Sequence, residues 1–221
     1  MFYDALALKF QEHANAENAF HMKAYMRNKF EFYGIKAGLR RQLMNGVFSL
    51  HNEEVKSTIR KLVYHLYDSA YREMHLCAME LFQRTTKRSM IEEDLEIIEY
   101  LIVTNSWWDT VDYIAKQLLG QYLKLFPDKR TSVLSTFSSS PDLWLNRSTI
   151  LFQLGYKDQT DEKILFKQCS KFKDSKEFFL QKAIGWALRE YAKTNPKAVL
   201  NFVNSTQLKS LSRREAIRNI A

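Results

Sequence analysis

Chain punctuation is scarce in this sequence, with six glycines and three prolines among 221 residues. Strand-and-turn architectures use both residues at their reversals. The shortage therefore favours long helices on short connections. Cysteine is scarcer still. Cys77 and Cys169 stand far apart, each within a helical pattern and neither in a CxxC, so they read as two buried free thiols rather than a disulfide or a metal site. No run of eighteen apolar residues occurs, and no membrane span is expected. The opening MFYDALALKFQEHA carries Asp4 early and lacks a basic n-region with a small-residue cleavage site, so it does not read as a secretory signal. Reduced thiols without an export signal make the expected location cytoplasmic.

Apolar residues make up 46% and aromatics 14%, enough for one or two units with a sizeable core. The formal net charge of +8 is unevenly placed. Residues 1–162 hold 20 Lys+Arg against 21 Asp+Glu, whereas residues 163–221 hold 13 against 4. A basic surface of that kind suits a polyanion, through phosphate contacts and counterion release. A solvated basic face without a partner fits the composition equally well.

The apolar periodicity predicts helices near 2–13, 18–31, 37–48, 52–66, 70–85, 91–103, 107–124, 128–137, 141–154, 161–171, 176–194, 196–203 and 212–220. Ser140-Pro141-Asp142 reads as an N-cap followed by a first-turn proline. Ser212-Arg213-Arg214-Glu215 has capping-box spacing, and Asn195-Pro196 closes one helix and opens the next. Tyr71, Trp108, Trp144 and Phe179 follow one another at intervals of 37, 36 and 35 residues, each near the start of an amphipathic helix. Such a period matches a two-helix solenoid repeat of the HEAT type, and with no linker in view a single domain over residues 1–221 is expected.

Candidate chemistry centres on TNSWWDTVDYI, residues 104–114. Ser106 and Asp109 form an S-x-x-D capping arrangement. Trp107, Val111, Ile114 and Leu118 fall on one apolar stripe, so Trp107 is expected in the core. Trp108 and Asp112, themselves i and i+4, project together about 100° away. Arg147 lies on the apolar stripe of Leu143, Ile150 and Leu154, where arginine needs a reason. It comes 35 residues after Asp112, so stacked repeats could bring the two together. Trp186 has Lys182 four residues before it and Arg189 three after it. That is either an aromatic platform flanked by cations or a core residue with snorkelling neighbours.

SWWDTVD, LWLNRSTILFQL, FFLQKAIGWALREYAKTNP, LSRREAIRNI and MKAYMRNKFEFYGI together resemble the AlkD-type DNA alkylation repair proteins, which are HEAT-like repeat DNA glycosylases. The similarity runs from about residue 5 to the end. It implies an all-α, HEAT-like solenoid whose concave basic cleft holds double-stranded DNA, in a monomer that would be nucleoid-associated when bound. The family hydrolyses the N-glycosidic bond of cationic N3- and N7-alkylated purines. It engages the sugar and backbone of the lesion rather than flipping the base.

By this resemblance Trp108 and Trp186 pack on the sugar, Asp112 is the catalytic carboxylate and Arg147 contacts phosphate. Lys182, Arg189, Arg213 and Arg214 are the other expected DNA contacts. A cationic base is already a good leaving group, so the site needs charge complementarity and a positioned water rather than a general acid. Tryptophan faces stabilise the developing cation. Neither a metal nor another cofactor is called for, and the five histidines have no ligand spacing.

The sequence departs from the family near its start. Family glycosylases carry a short extra helix before the Y-M-containing helix, and it enters the minor groove. Here only Ala14 to His21 separates QEH from MKAYM. Asn105 replaces the usual lysine before SWWD, and the usual proline turn ahead of the double arginine reads AGLRR. Three functions therefore stand open: an active alkylpurine glycosylase, a non-catalytic weak DNA-binding relative, and a scaffold that binds a protein.

Overall fold

Phe2, Leu6 and Phe10 recur every four residues at the start of the chain, and all three are fully buried. The same logic runs through the whole computed structural model, which describes residues 1–218 and 220. The protein is an all-α helical repeat. Outside the helices, an isolated parallel bridge joins Glu31 and Tyr71. None of the described helices is long and apolar enough to cross a membrane.

The chain divides into two compact units, Met1–Ile97 and Ile98–Ala221. The first contains α1 (Phe2–Glu12), α2 (Ala16–Tyr25), α3 (Ala37–Leu50), α4 (Asn52–Tyr67) and α5 (Arg72–Thr86). No linker marks the division, which falls inside α6 (Asp94–Val103). After the last residues of α6, the second unit runs into α7 (Trp108–Tyr113), which passes through a π-helical segment (Ile114–Leu119) directly into α8 (Gly120–Leu125). It continues with α9 (Arg130–Ser139), α10 (Leu143–Leu151), α11 (Glu162–Lys171), α12 (Phe178–Ala192), α13 (Pro196–Ser205) and α14 (Ser210–Ile217).

Side-chain bonds between helices recur at nearly the spacing of the aromatic landmarks. In the first unit, the buried Glu73 carboxylate accepts from the amides of Tyr33 at 3.2 Å, Gly34 at 2.9 Å and Ile35 at 3.1 Å. Arg40 is only 2% exposed and pairs with Glu80, forty residues on, at 2.7 Å, while Arg41 reaches the same carboxylate at 3.0 Å. In the second unit, the Tyr156 hydroxyl donates to the Gly120 carbonyl. Lys182 pairs there with Glu215, thirty-three residues on, at 3.0 Å. The Arg40 and Lys182 pairs tie a helix to the second helix on, α3 to α5 and α12 to α14, whereas Glu73 and Tyr156 tie a helix to a connecting segment.

Four local expectations are corrected. The second helix ends at Tyr25 rather than near residue 31, because Arg27 and Asn28 turn to positive φ (56° and 57°) and break the helical path. Asp142, not Ser140, caps α10 by accepting from the amides of Trp144 and Leu145, and Ser140 instead accepts from the Asp142 amide. Ser106 does not cap α7. Its hydroxyl donates back to the Ile102 carbonyl, and Trp107 is the N-cap without a side-chain capping bond. Ser212 and Glu215 form no capping box, since α14 begins at Ser210 and both side chains reach α12 instead. Asn195 caps α13 as expected. Asn219, within the predicted span 212–220, lies outside the described residues.

Gly34 is required by two constraints at once. Its φ is +84°, and an added Cβ would lie 2.0 Å from the Asn15 carbonyl oxygen. Gly46, exposed in the interior of α3, has no neighbour near its would-be Cβ. Gly34→Ala should therefore lower unfolding free energy by about 2 kcal/mol or more, whereas Gly46→Ala should raise it by about 0.5–1 kcal/mol. Urea unfolding followed by far-UV circular dichroism measures both.

Candidate active site

Trp107 and Trp108 are neighbours in the chain with opposite fates. Trp107 is extended, with φ −156°, and Trp108 is the first residue of α7. The Trp107 ring is 8% exposed and packs edge-on against Trp144 at 5.7 Å and Phe179 at 5.3 Å between centroids. Trp144 and Phe179 are themselves 5.0 Å apart. The starts of α7, α10 and α12 thus meet in one aromatic cluster, the residue type that contributes most per side chain to a core. Trp108 stays half-buried and turns to a different surface.

That surface is a pocket of about 300 Å³ lined by residues of α7, α10, α12 and α14. Trp108 and Asp112 come from α7, and Arg147 from α10. Phe178, Phe179, Lys182, Trp186 and Arg189 line it from α12, and Glu215 from α14. Trp186 is half-buried and packs against the core cluster of the second unit, which includes Leu180, Ala183 and Ile184. It packs on the core on one side and lines the pocket on the other.

Asp112 and Arg147 meet across one repeat. Arg147 Nε donates to Asp112 Oδ1 at 2.7 Å and Nη2 to Oδ2 at 2.9 Å. Nη1 donates to the Phe179 carbonyl. The guanidinium is 4% exposed and the carboxylate 16%. Burial pushes the Asp112 carboxyl above the ordinary aspartate range, against the opposing pull of Arg147; the nearby Asp109 adds to the upward shift. The pair explains the arginine on an apolar stripe. It also changes the expectation for Arg147, whose three nitrogens are each engaged with protein atoms, so the arrangement makes it a support for Asp112 before any phosphate contact.

The remaining expected DNA contacts separate into two groups. Lys182 and Arg189 line the pocket beside Trp186, and both pair with Glu215, at 3.0 Å and 2.6 Å. Arg213 instead donates to the Val203 carbonyl at 2.8 Å and to Asn204, which satisfies the C-terminal turn of α13. Arg214 is exposed and does not line the pocket. Three lining residues are not among the site residues expected from sequence: Phe178, Phe179, which the sequence marks only as a repeat landmark, and Glu215. Glu215 was hidden because its spacing after Ser212 reads as a cap. Two residues after Asp112, at Ile114, the helix widens into its π segment, a feature often found beside functional sites. Among the described residues, no group of three or more His, Cys, Asp or Glu side chains is arranged to hold a metal ion.

The model of the family described as DNA alkylation repair enzyme matches residues 6–220. The chain belongs to this family. A solved structure of a predicted DNA alkylation repair enzyme from Enterococcus faecalis is similar to it, with a TM-score of 0.86 and 30% identity over 94% of this chain and 97% of that one. No curated protein matches. Family membership fixes the class of protein, while the pocket geometry describes what this member has to work with.

Removing Arg147 leaves a partly buried carboxylate unpaired. Arg147→Ala should cost about 3 kcal/mol or more in unfolding free energy, with a large part recovered in the double variant with Asp112→Ala. A double-mutant cycle by urea unfolding reads the coupling. Glu215 provides a test in pH. Bonds from Arg189 and then Lys182 pull its carboxyl from 4.5 down to about 2. A lowered folded-state value means that this stabilisation is complete above about 4.5, shrinks as pH falls, and is lost below about 2. The stability gap between wild type and Glu215→Gln should therefore narrow steadily below pH 4.5.

Proposed function

We propose that the chain binds duplex DNA at the Trp108–Asp112–Trp186 pocket and hydrolyses the N-glycosidic bond of cationic N3- and N7-alkylpurines, at a rate held low by weak DNA binding. The observation that carries this reading is the pairing of a fixed carboxylate with two half-buried indole faces in one pocket. As a cationic base departs, positive charge develops on the sugar. Two π-faces and a carboxylate offer that charge an electrostatic partner where it forms. Asp112 accepts a proton from the attacking water, and its upward shift makes it a stronger base than a free aspartate. Arg147 holds the carboxylate in one orientation, which is the positioning such a reaction depends on.

The connection between α1 and α2 supports the low rate. Only residues 13–15 separate Glu12 from Ala16, and no helical turn fits there. The resemblance implies a groove-entering helix at this point in active relatives. The same observation favours a second reading, in which the chain binds DNA weakly without cutting any glycosidic bond. Affinity in either case comes from the cations of the C-terminal quarter and weakens with salt.

Duplex DNA carrying N7-methylguanine or N3-methyladenine, incubated with excess protein, should release the methylated base. Asp112→Asn should abolish release while leaving DNA binding within about twofold. Retained release in that variant would remove Asp112 from the mechanism. No release by the wild type, with DNA binding intact, would establish the second reading. The rate should fall in acid with a midpoint above the ordinary 3.8 of aspartate, because the proton-accepting form of Asp112 is lost there.

A further inference from the structure

Glu215 sits behind the two cations that flank Trp186. Its Oε1 accepts from Lys182 Nζ at 3.0 Å, and its Oε2 accepts from Arg189 Nη1 at 2.6 Å. Arg189 Nη1 also donates to the Glu215 backbone carbonyl at 3.1 Å. Glu215 itself is 8% exposed, whereas the side chains of Lys182 and Arg189 are 39% and 22% exposed. The carboxylate is the deep partner, and the cations lie nearer solvent. An ammonium has three N–H donors and a guanidinium five, so both retain donors beyond those that Glu215 takes.

The approach of α14 to α12 is built for this contact. A Cβ on Gly185 would lie 2.4 Å from Glu215 Cβ and 3.0 Å from the Ser212 carbonyl, so only glycine permits the packing. The fully buried Ser212 hydroxyl donates to the Gln181 carbonyl at 3.1 Å, fixing α14 one turn before Glu215. Lys182, Gly185, Trp186 and Arg189 lie at i, i+3, i+4 and i+7 of α12, on one face. Glu215 is held against that face, beside the indole.

We propose that Glu215 is a positioning residue: it orders Lys182 and Arg189 on either side of Trp186 so that their free donors present a preformed clamp for two backbone phosphates flanking the nucleotide in the pocket. This rests on the reading of the pocket as a DNA site. Unanchored lysine and arginine side chains would have to be ordered on binding, at a cost in rotamer freedom that Glu215 removes in advance. The sign of the effect separates this role from simple charge. A carboxylate acting only as a negative charge near DNA repels it, so its removal would tighten binding. A positioning carboxylate does the reverse.

The test compares wild type, Glu215→Gln, Lys182→Ala/Arg189→Ala, and the triple variant. It measures affinity for an undamaged duplex across salt concentrations, alongside NMR order of the Arg189 Nε–H group in the free protein. Arg189 should be ordered in wild type and mobile in Glu215→Gln. Glu215→Gln should weaken DNA binding about tenfold and flatten the salt dependence by about one to two phosphate contacts. Adding Glu215→Gln to the double alanine variant should then change affinity little. If the Gln variant fails to fold, Glu215→Asp takes its place, with the carboxylate withdrawn by one methylene and the same direction expected.

Unchanged or tighter DNA binding in Glu215→Gln overturns the proposal, as does a mobile Arg189 in the wild type. If the wild type binds no duplex, the phosphate-clamp function falls together with the DNA reading. The ordering of Arg189 by Glu215 still stands or falls on the NMR comparison alone.

Discussion

The ion pair between Asp112 and Arg147 is the constraint on which the second unit is organised. Moving either charge alone from water into this environment would be unfavourable enough to force a change of protonation or of structure. Together they satisfy one another through two parallel bonds, and the Phe179 carbonyl takes a third. Those three bonds bind α7, α10 and the start of α12 to a single side chain. The aromatic cluster of Trp107, Trp144 and Phe179 sits at the same three helix starts. Directional bonds set the register of these helices, and the rings supply the apolar burial that holds them there.

The rest of the pocket inherits its geometry from that arrangement. Once α7 is fixed by Trp107 on one side and Asp112 on another, Trp108 has one remaining direction. Once α12 is fixed at Phe179, the residues one and two turns on, Lys182 and Trp186, face the same space. The last wall comes from α14, which reaches α12 closely because Gly185 has no side chain. Each wall of the pocket is therefore set by a contact between helices, some of them made by the lining residues themselves.

Much of this was legible in the sequence, for reasons that can be named. Helices were readable because apolar residues recur at helical spacing and few residues interrupt them. The separation of Trp107 from Trp108 followed from the 100° step of a helix. The meeting of Arg147 with Asp112 followed from a repeat length equal to their spacing. What failed was local polar chemistry. Ser106, Ser140 and Ser212 each stand where a cap would be, yet Ser106 and Ser140 bond to backbone four and two residues away instead, and Ser212 finds a partner thirty-one residues back. Glu215 was invisible because its partners lie twenty-six and thirty-three residues back. The early end of α2 rests on positive φ at Arg27 and Asn28: asparagine tolerates that conformation at helix ends, whereas arginine carries no signal of it.

The buried pair also bears on how far an intact pocket speaks for catalysis. Asp112 and Arg147 hold three helices together, so a chain with no chemistry to perform would still need both. Their presence is explained by structure before function is invoked. Trp108 keeps a half-buried face on the pocket, while the aromatic cluster at the start of α7 is built on Trp107. Lys182 and Arg189 combine both roles, since they tie α12 to Glu215 of α14 and each retains donors beyond those that Glu215 takes. The residues of the pocket thus serve the fold first, and what they offer a ligand is what remains once those contacts are made.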